Sequence, residues 1–330
     1  MSGDKSKFLV LYERERMKVE ERLSEALKNR KPYSLYKPAA YILKSGGKRL
    51  RPLLVLFSAK ATGGKFSKAY NAAVAVELLH NFTLVHDDIM DNADKRRGRP
   101  TLHKKYDLST AILAGDSLLS VAYEYLLKDS GNHIREVMDS FTRGLVEVCE
   151  GQSMDKDFER LNEVSINEYM QMIEKKTAAM AEMCCVIGAN IACASKQEIR
   201  AMAGFGKNIG IAFQIQDDLL DISGNESQFG KFVGGDLIEG KKTYLFLKAL
   251  EKATGKDKKE FLSIIERKGI NQDEIPKFKS LYCKLGVIED AREEIIRYSN
   301  KALSELKYLK RQEDRDLFIW LTDSLIKRNR

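Results

Sequence analysis

Two pentapeptides in this chain repeat one spacing of aspartates: Asp87, Asp88 and Asp91 in DDIMD, and Asp217, Asp218 and Asp221 in DDLLD. On a helix of about 3.6 residues per turn the first and last of each trio share a face, and their like charges repel unless a cation removes the repulsion. Hard oxygen ligands on a rigid helix suit Mg²⁺, which takes one or two protein carboxylates and leaves other positions for water and substrate phosphate. Cations accompany the acids. Arg96, Arg97 and Arg99 follow the first trio, with planar forks that match phosphate oxygens. Gly46-Gly47-Lys48-Arg49-Leu50-Arg51-Pro52 sets flexible backbone and three cations at a helix start, where orphan N–H groups favour anions. Glu174-Lys175-Lys176-Thr177 sits mid-helix, and Lys231 and Lys241 lie in and beyond a glycine-rich stretch. Taken alone, the stretch from Gly46 to Pro52 also reads as a basic helix cap, and Glu174 to Thr177, Lys231 and Lys241 as ordinary solvated surface.

The elements that must carry these residues are helical. Periodicity places helices near 7–29 and 34–44, a third entered through Lys48 to Pro52 with proline in its first turn, and further helices near 67–92, 107–129, 133–162, 166–194 and 196–222. Shorter helices follow near 242–253, 257–268, 273–285, 287–309 and 313–328, and no alternating strand pattern is convincing. Each acidic trio therefore falls late in an apolar helix, and Gln214 lies one turn before Asp218. From Ile222 to Gly240 the periodicity fails in a long glycine-rich loop. The expected architecture is all-α, one domain over 1–330, a large helical bundle around a central cavity with a smaller C-terminal part.

Bulk properties exclude several classes. The 330 residues are 43% hydrophobic and 32% charged, the ordinary range for a soluble globular protein. The net charge of +8 suits anionic ligands. The lysines are spread along the chain without a basic tail or an aromatic-interleaved stripe, so no nucleic-acid partner is expected. Cys149, Cys184, Cys185, Cys193 and Cys283 lack metal spacing and are expected to be reduced core thiols of a cytoplasmic protein. No signal peptide or membrane-spanning run is present in the sequence.

Taken in order, GGKRLRP, LLHNFTLVHDDIMD, RRGRPT, EKKT, FQIQDDLLD, GKFVGGD and EGKKT resemble the trans-prenyl diphosphate synthases, most closely the archaeal geranylgeranyl type, over about residues 40 to 245. The resemblance implies the isoprenoid synthase fold and a prenyltransferase. Two or three Mg²⁺ ions would assist ionisation of an allylic diphosphate (dimethylallyl, geranyl or farnesyl). Isopentenyl diphosphate then attacks the allylic cation, and a proton is lost. It also implies Asp87, Asp91 and Asp217 as metal ligands, with Asp88, Asp218 and Asp221 supporting and Lys176 among the catalytic groups. Arg96, Lys176, Thr177, Gln214, Lys231 and Lys241 would contact the allylic substrate, and Lys48, Arg51, His80 and Arg97 the isopentenyl diphosphate. One departure is Phe232, where the family commonly has proline.

Spacing supports part of this assignment: His80, Thr83, Asp87 and Asp91 follow an i, i+3, i+7, i+11 line. His86 reads as packing. The family places an aromatic floor five residues before the first aspartate, here Phe82, which implies a twenty-carbon product. The alternatives are fifteen carbons or longer products of twenty-five or thirty. An ideal wheel puts Phe82 about 140° from Asp87, so ordinary core packing stays open for it. A metal-dependent phosphohydrolase built on His86-Asp87 would leave the second trio unexplained, and a class I terpene cyclase would not need Lys48, Arg51 and Arg97. A non-catalytic partner subunit would be expected to have lost some of the carboxylates. A homodimer or higher homo-oligomer is expected, with the apolar helix near 107–127 either its face or core.

Overall fold

The computed structural model describes residues 2–224 and 234–326, and within these the chain is helical as expected. By its internal contacts it divides into two compact units. The first comprises 1–141, 183–202 and 308–320, and the second 142–182, 203–307 and 321–330. No helix among the described residues is long and apolar enough to cross a membrane.

In the first unit, α1 (Ser2–Ala26), α2 (Tyr33–Leu43) and α3 (Leu50–Ala61) precede α4 (Tyr70–Met90). From Ala72 to Leu79 every residue of α4 is buried, the pattern of a helix enclosed on all sides. It packs against α3 and, most extensively, α6 (Leu108–Asp129). The start of α6 is fixed by Asp107, whose side chain accepts from Thr110 N at 2.8 Å. Between α4 and α6 lies an element absent from the periodicity reading, an antiparallel hairpin of β1 (Lys95–Arg96) and β2 (Arg99–Pro100), followed by α5 (Leu102–Lys105). Two-residue strands are too short to show alternation.

The second unit contains most of α7 (Ile134–Phe158), then α8 (Ile166–Ile173), whose start is fixed by a reciprocal capping box between Ser165 and Glu168. The helix does not run evenly from 166 to 194. Glu174–Ala178 form a π turn before α9 (Ala179–Ile191). After α10 (Lys196–Ser223) come α11 (Gly235–Ile238), α12 (Tyr244–Lys252), α13 (Gly255–Arg267), α14 (Ile275–Lys284) and α15 (Val287–Glu305), with α16 (Gln312–Ile326) last; residues 183–202 of α9 and α10 and 312–320 of α16 belong to the first unit. Aromatic packing organises the C-terminal part: Phe261 stacks on Tyr282 with centroids 5.7 Å apart and meets Phe278 at 5.6 Å.

One expectation is corrected. No cysteine is in a disulfide, but only Cys184 and Cys185 are buried; Cys149, Cys193 and Cys283 are exposed. Cys149 and Cys283 lie on the outer faces of α7 and α14, and Cys193 lies in the turn after α9, none of which helical periodicity alone assigned.

Candidate active site

Both acidic trios sit at helix C-termini. Asp87 and Asp88 close α4 and Asp91 caps it; Asp217, Asp218 and Asp221 occupy the last two turns of α10. The helix dipole is negative at that end, so each carboxylate there is electrostatically disfavoured and each end attracts a cation. The C-terminus of α4 is closed by Asn92 in the left-handed region (φ +48°), with Ala93 N bonded to Asp88 O at 2.9 Å and Asn92 N to Ile89 O at 3.1 Å. This Schellman arrangement satisfies the last carbonyls and turns the chain into the hairpin.

The trios are not three equivalent ligands. Asp88 is buried and accepts from Arg96 Nε at 2.6 Å, while its second oxygen is buried without a hydrogen-bond partner. Burial raises the Asp88 carboxyl above its ordinary range despite Arg96. Asp87 is half-buried and Asp91 exposed. In the second trio Asp217 is exposed and Asp218 buried. Asp218 accepts from Tyr169 Oη at 2.5 Å and Tyr244 N at 2.9 Å on one oxygen, and from Gln214 Nε2 at 3.0 Å on the other. Burial, reinforced by Asp236, pushes Asp218 up to about 7. Asp221 Oδ2 accepts from Asp236 N at 3.1 Å. In each trio, therefore, the middle carboxylate is buried and the first is more exposed.

The arginine hairpin explains how the cations of the first unit are aimed. Its register pairs Lys95 with Pro100 and Arg96 with Arg99, leaving Arg97 (φ +51°) and Gly98 (φ +74°) as the two central residues of a type I′ turn. Arg97 tolerates this backbone because its guanidinium bonds the Gly46 carbonyl. At Gly47 the backbone dihedral (φ +142°) favours glycine, and a β-carbon there would lie 2.9 Å from Arg97 Nη1, so any side chain would also displace the guanidinium. Arg99 lies over the Tyr41 ring at 4.1 Å, and Tyr41 Oη donates to Pro100 O at 3.0 Å, which fixes the hairpin to α2.

Of the basic residues at the start of α3, Arg49 is structural: buried, it bonds Glu20 at 2.8 Å, Glu77 at 2.6 Å and Leu43 O at 2.8 Å. Lys48 is exposed and its carbonyl accepts from Tyr12 Oη at 2.5 Å. Arg51 Nη1 lies 3.3 Å from His80 Nε2. Desolvation, then Arg51, Arg97, Arg96 and Arg49, hold His80 well below its usual pKa, and its Nδ1 is buried without a hydrogen-bond partner. A neutral imidazole among arginines marks a site of positive potential. Phe82 is half-buried and packs against His86, on the side of α4 that meets α6.

In the second unit the π turn presents Lys176 and Thr177. Lys176 Nζ bonds Asp155 Oδ2 at 2.6 Å, and Thr177 Oγ1 donates to Gln214 Oε1 at 2.8 Å. The Gln214 amide, held by Thr177 at one end and Asp218 at the other, has one orientation. π turns are rare and concentrate at functional positions. This one is accommodated by Gly151 of α7, where a β-carbon would lie 2.6 Å from Lys176 Cα and nearer still to its N. Lys241 Nζ pairs with Glu239 at 2.6 Å. A cavity of about 460 Å³ includes both Lys241 and Asp155 in its lining. Lys231 lies outside the described residues.

Sequence reasoning missed Gly151, Asp155, Tyr169 and Asp236. Gly151 and Asp155, four apart on one amphipathic helix, were visible as GQSMD; nothing in the sequence marked Tyr169 as the partner of Asp218.

The donor set fits Mg²⁺ held jointly with a phosphate ligand. Each trio offers hard oxygen donors of its own, the less buried Asp87 and Asp91 at the end of α4 and Asp217 near the end of α10, and among the described residues no three His, Cys, Asp or Glu side chains converge to hold a metal alone.

The family model described as polyprenyl synthetase matches residues 32–282. The chain is 38% identical over 313 residues to the geranylgeranyl pyrophosphate synthase of Geoglobus acetivorans, covering 94% of this chain and 96% of that protein. It is similar to the crystal structure of geranylgeranyl pyrophosphate synthetase from Pyrococcus horikoshii Ot3, with a TM-score of 0.91 and 37% identity over 97% of this chain and 98% of the other. It is also similar to a Caulobacter crescentus CB15 polyprenyl synthase complexed with calcium and isoprenyl diphosphate, with a TM-score of 0.90 and 25% identity over 99% and 98%. With the two acidic helix ends and their cations in place, the chain belongs to the polyprenyl synthetase family.

Proposed function

We propose that this protein is a trans-prenyltransferase that condenses isopentenyl diphosphate with allylic diphosphates, and that its main product is geranylgeranyl diphosphate. The observation that carries this reading is the pair of carboxylate-bearing helix C-termini, each with its own set of cations. Mg²⁺, when bound at Asp87, Asp91 and Asp217, neutralises charge on the allylic diphosphate.

The protein's own residues do the rest. Arg96, Lys176, Lys231 and Lys241 stabilise the departing diphosphate as the allylic C–O bond breaks and its electron pair leaves with oxygen. Lys176 and Lys241 are paired with Asp155 and Glu239 in the free protein, and the diphosphate replaces those partners. Thr177 and the oriented Gln214 amide stand beside the allylic substrate. Lys48, Arg51, His80 and Arg97 hold isopentenyl diphosphate, whose double bond forms the new C–C bond before a proton is lost from the adjacent carbon. Apolar walls keep water from the cation, and Phe82 ends the path of the growing chain.

We further assign a homodimer to the outer face of α6, where Leu108, Ile112, Leu113 and Leu127 are exposed, and a cytoplasmic location. The test of the reaction is product analysis with Mg²⁺, isopentenyl diphosphate and, in turn, dimethylallyl, geranyl and farnesyl diphosphates. A dominant twenty-carbon diphosphate is expected. Release of phosphate or diphosphate without chain extension would overturn the reading, and gel filtration of the same preparation tests the dimer.

A further inference from the structure

Phe82 is braced from behind. On α4 its ring packs against that of His86 with centroids 4.5 Å apart and planes inclined by 50°. The imidazole is fixed in turn, because His86 Nδ1 donates to the Phe82 carbonyl at 3.1 Å. The ring also abuts α6, where a β-carbon on Gly115 would lie 2.8 Å from His86 Nδ1 and nearer still to Cε1. His86 Nε2 stands 3.5 Å from Asp116 Oδ1 on the same helix.

Gly115 lies within α6 and carries no left-handed dihedral, so its backbone does not demand glycine. Helix propensity alone would favour alanine there. What excludes a side chain is the His86 ring. Gly115, His86 and Phe82 thus form three successive layers from α6 to α4, with no room for a methyl between the first two.

We propose that Gly115 and His86 are specificity-determining residues of the condensation, setting through this stack how far the Phe82 ring stands into the path of the prenyl chain. The inference rests on Phe82 being the floor. An aromatic ring on a half-buried helix face blocks an apolar tail only while neighbours restrict its rotation, and the packed imidazole supplies that restriction. Product length is then a property of the α4–α6 contact and not of α4 alone. A methyl at position 115 drives the imidazole toward Phe82 and shortens the path. Removing the imidazole lets Phe82 swing back and lengthens it.

The experiment compares the product distributions of Phe82→Ala, His86→Ala, Gly115→Ala and the double variant Gly115→Ala/His86→Ala, each supplied with Mg²⁺, isopentenyl diphosphate and an allylic starter. Phe82→Ala is expected to lengthen the product. His86→Ala should raise the ratio of longer to twenty-carbon product by on the order of tenfold, and Gly115→Ala should shift products toward fifteen carbons. The double variant should return to the His86→Ala pattern, because the new methyl no longer meets a ring. If Phe82→Ala lengthens the product while His86→Ala and Gly115→Ala keep the parent distribution, the stack does not set the length and the inference is overturned. If Phe82→Ala itself keeps the parent distribution, the floor reading fails and takes this inference with it. Should Gly115→Ala not fold, His86→Ala alone decides by the same criterion.

Discussion

Asp87 and Asp88 are chemically identical neighbours, one half-buried and the other fully buried, and they respond differently to substitution. Asp87 is a half-buried carboxylate at the negative end of α4, where a neutral amide relieves repulsion with the helix dipole, so Asp87→Asn is expected to abolish Mg²⁺-dependent turnover while leaving the melting temperature unchanged or higher. Asp88→Ala removes the buried partner of Arg96 and should cost about 1–3 kcal/mol in denaturant unfolding. Equal stability losses in the two variants would contradict the division of roles. His80 gives a pH signature. Its pKa is depressed in the folded state, so between that value and about 6.5 the unfolded chain binds the extra proton. Stability from this group is present above the unfolded pKa and is lost as pH falls below it, by up to about 1.4 kcal/mol per pH unit. His80→Gln should flatten the slope of melting temperature between pH 7 and 5, and an unaltered slope would show that His80 is not held neutral.

At the scale of elements, the informative structures are the hairpin and the π turn, since both set side-chain direction where regular helix would set another. Gly151 tests the π turn through the sign of an effect. In an ordinary helix interior Gly→Ala stabilises by roughly 1 kcal/mol. Here the added methyl meets the Lys176 backbone, so Gly151→Ala is expected to destabilise by about 1–3 kcal/mol and to raise KM for the allylic diphosphate. A gain in stability on urea unfolding would mean that α7 does not hold the π turn in place. Helix positions were legible from periodicity, because burying an apolar stripe leaves a 3.6-residue signal: α4, α6 and α10 lie within a few residues of their expected bounds. The hairpin and π turn were not legible. Two-residue strands carry no period, and a π turn adds one residue to a helical turn without changing composition.

For the whole molecule, the metal and the diphosphate are expected to bind as one. No three donors converge among the described residues, and the net charge of +8 favours anions. Mg²⁺ alone should therefore shift the melting temperature little, whereas Mg²⁺ with inorganic diphosphate should raise it by an amount greater than the two separate shifts combined. Additive shifts in differential scanning calorimetry would argue for independent sites. The sequence by itself determined the helical class, the two aspartate trios, the basic motifs and the family, since each is written in residue type and short-range spacing. Tertiary structure alone decided which aspartate of each trio turns inward, that Arg49 is structural while Arg51 meets His80, that Tyr169 and Tyr244 hold Asp218, and that His86 stands between Gly115 and Phe82. Those facts depend on which distant helix faces a given side chain, and burial and partnership across helices leave no trace in local spacing.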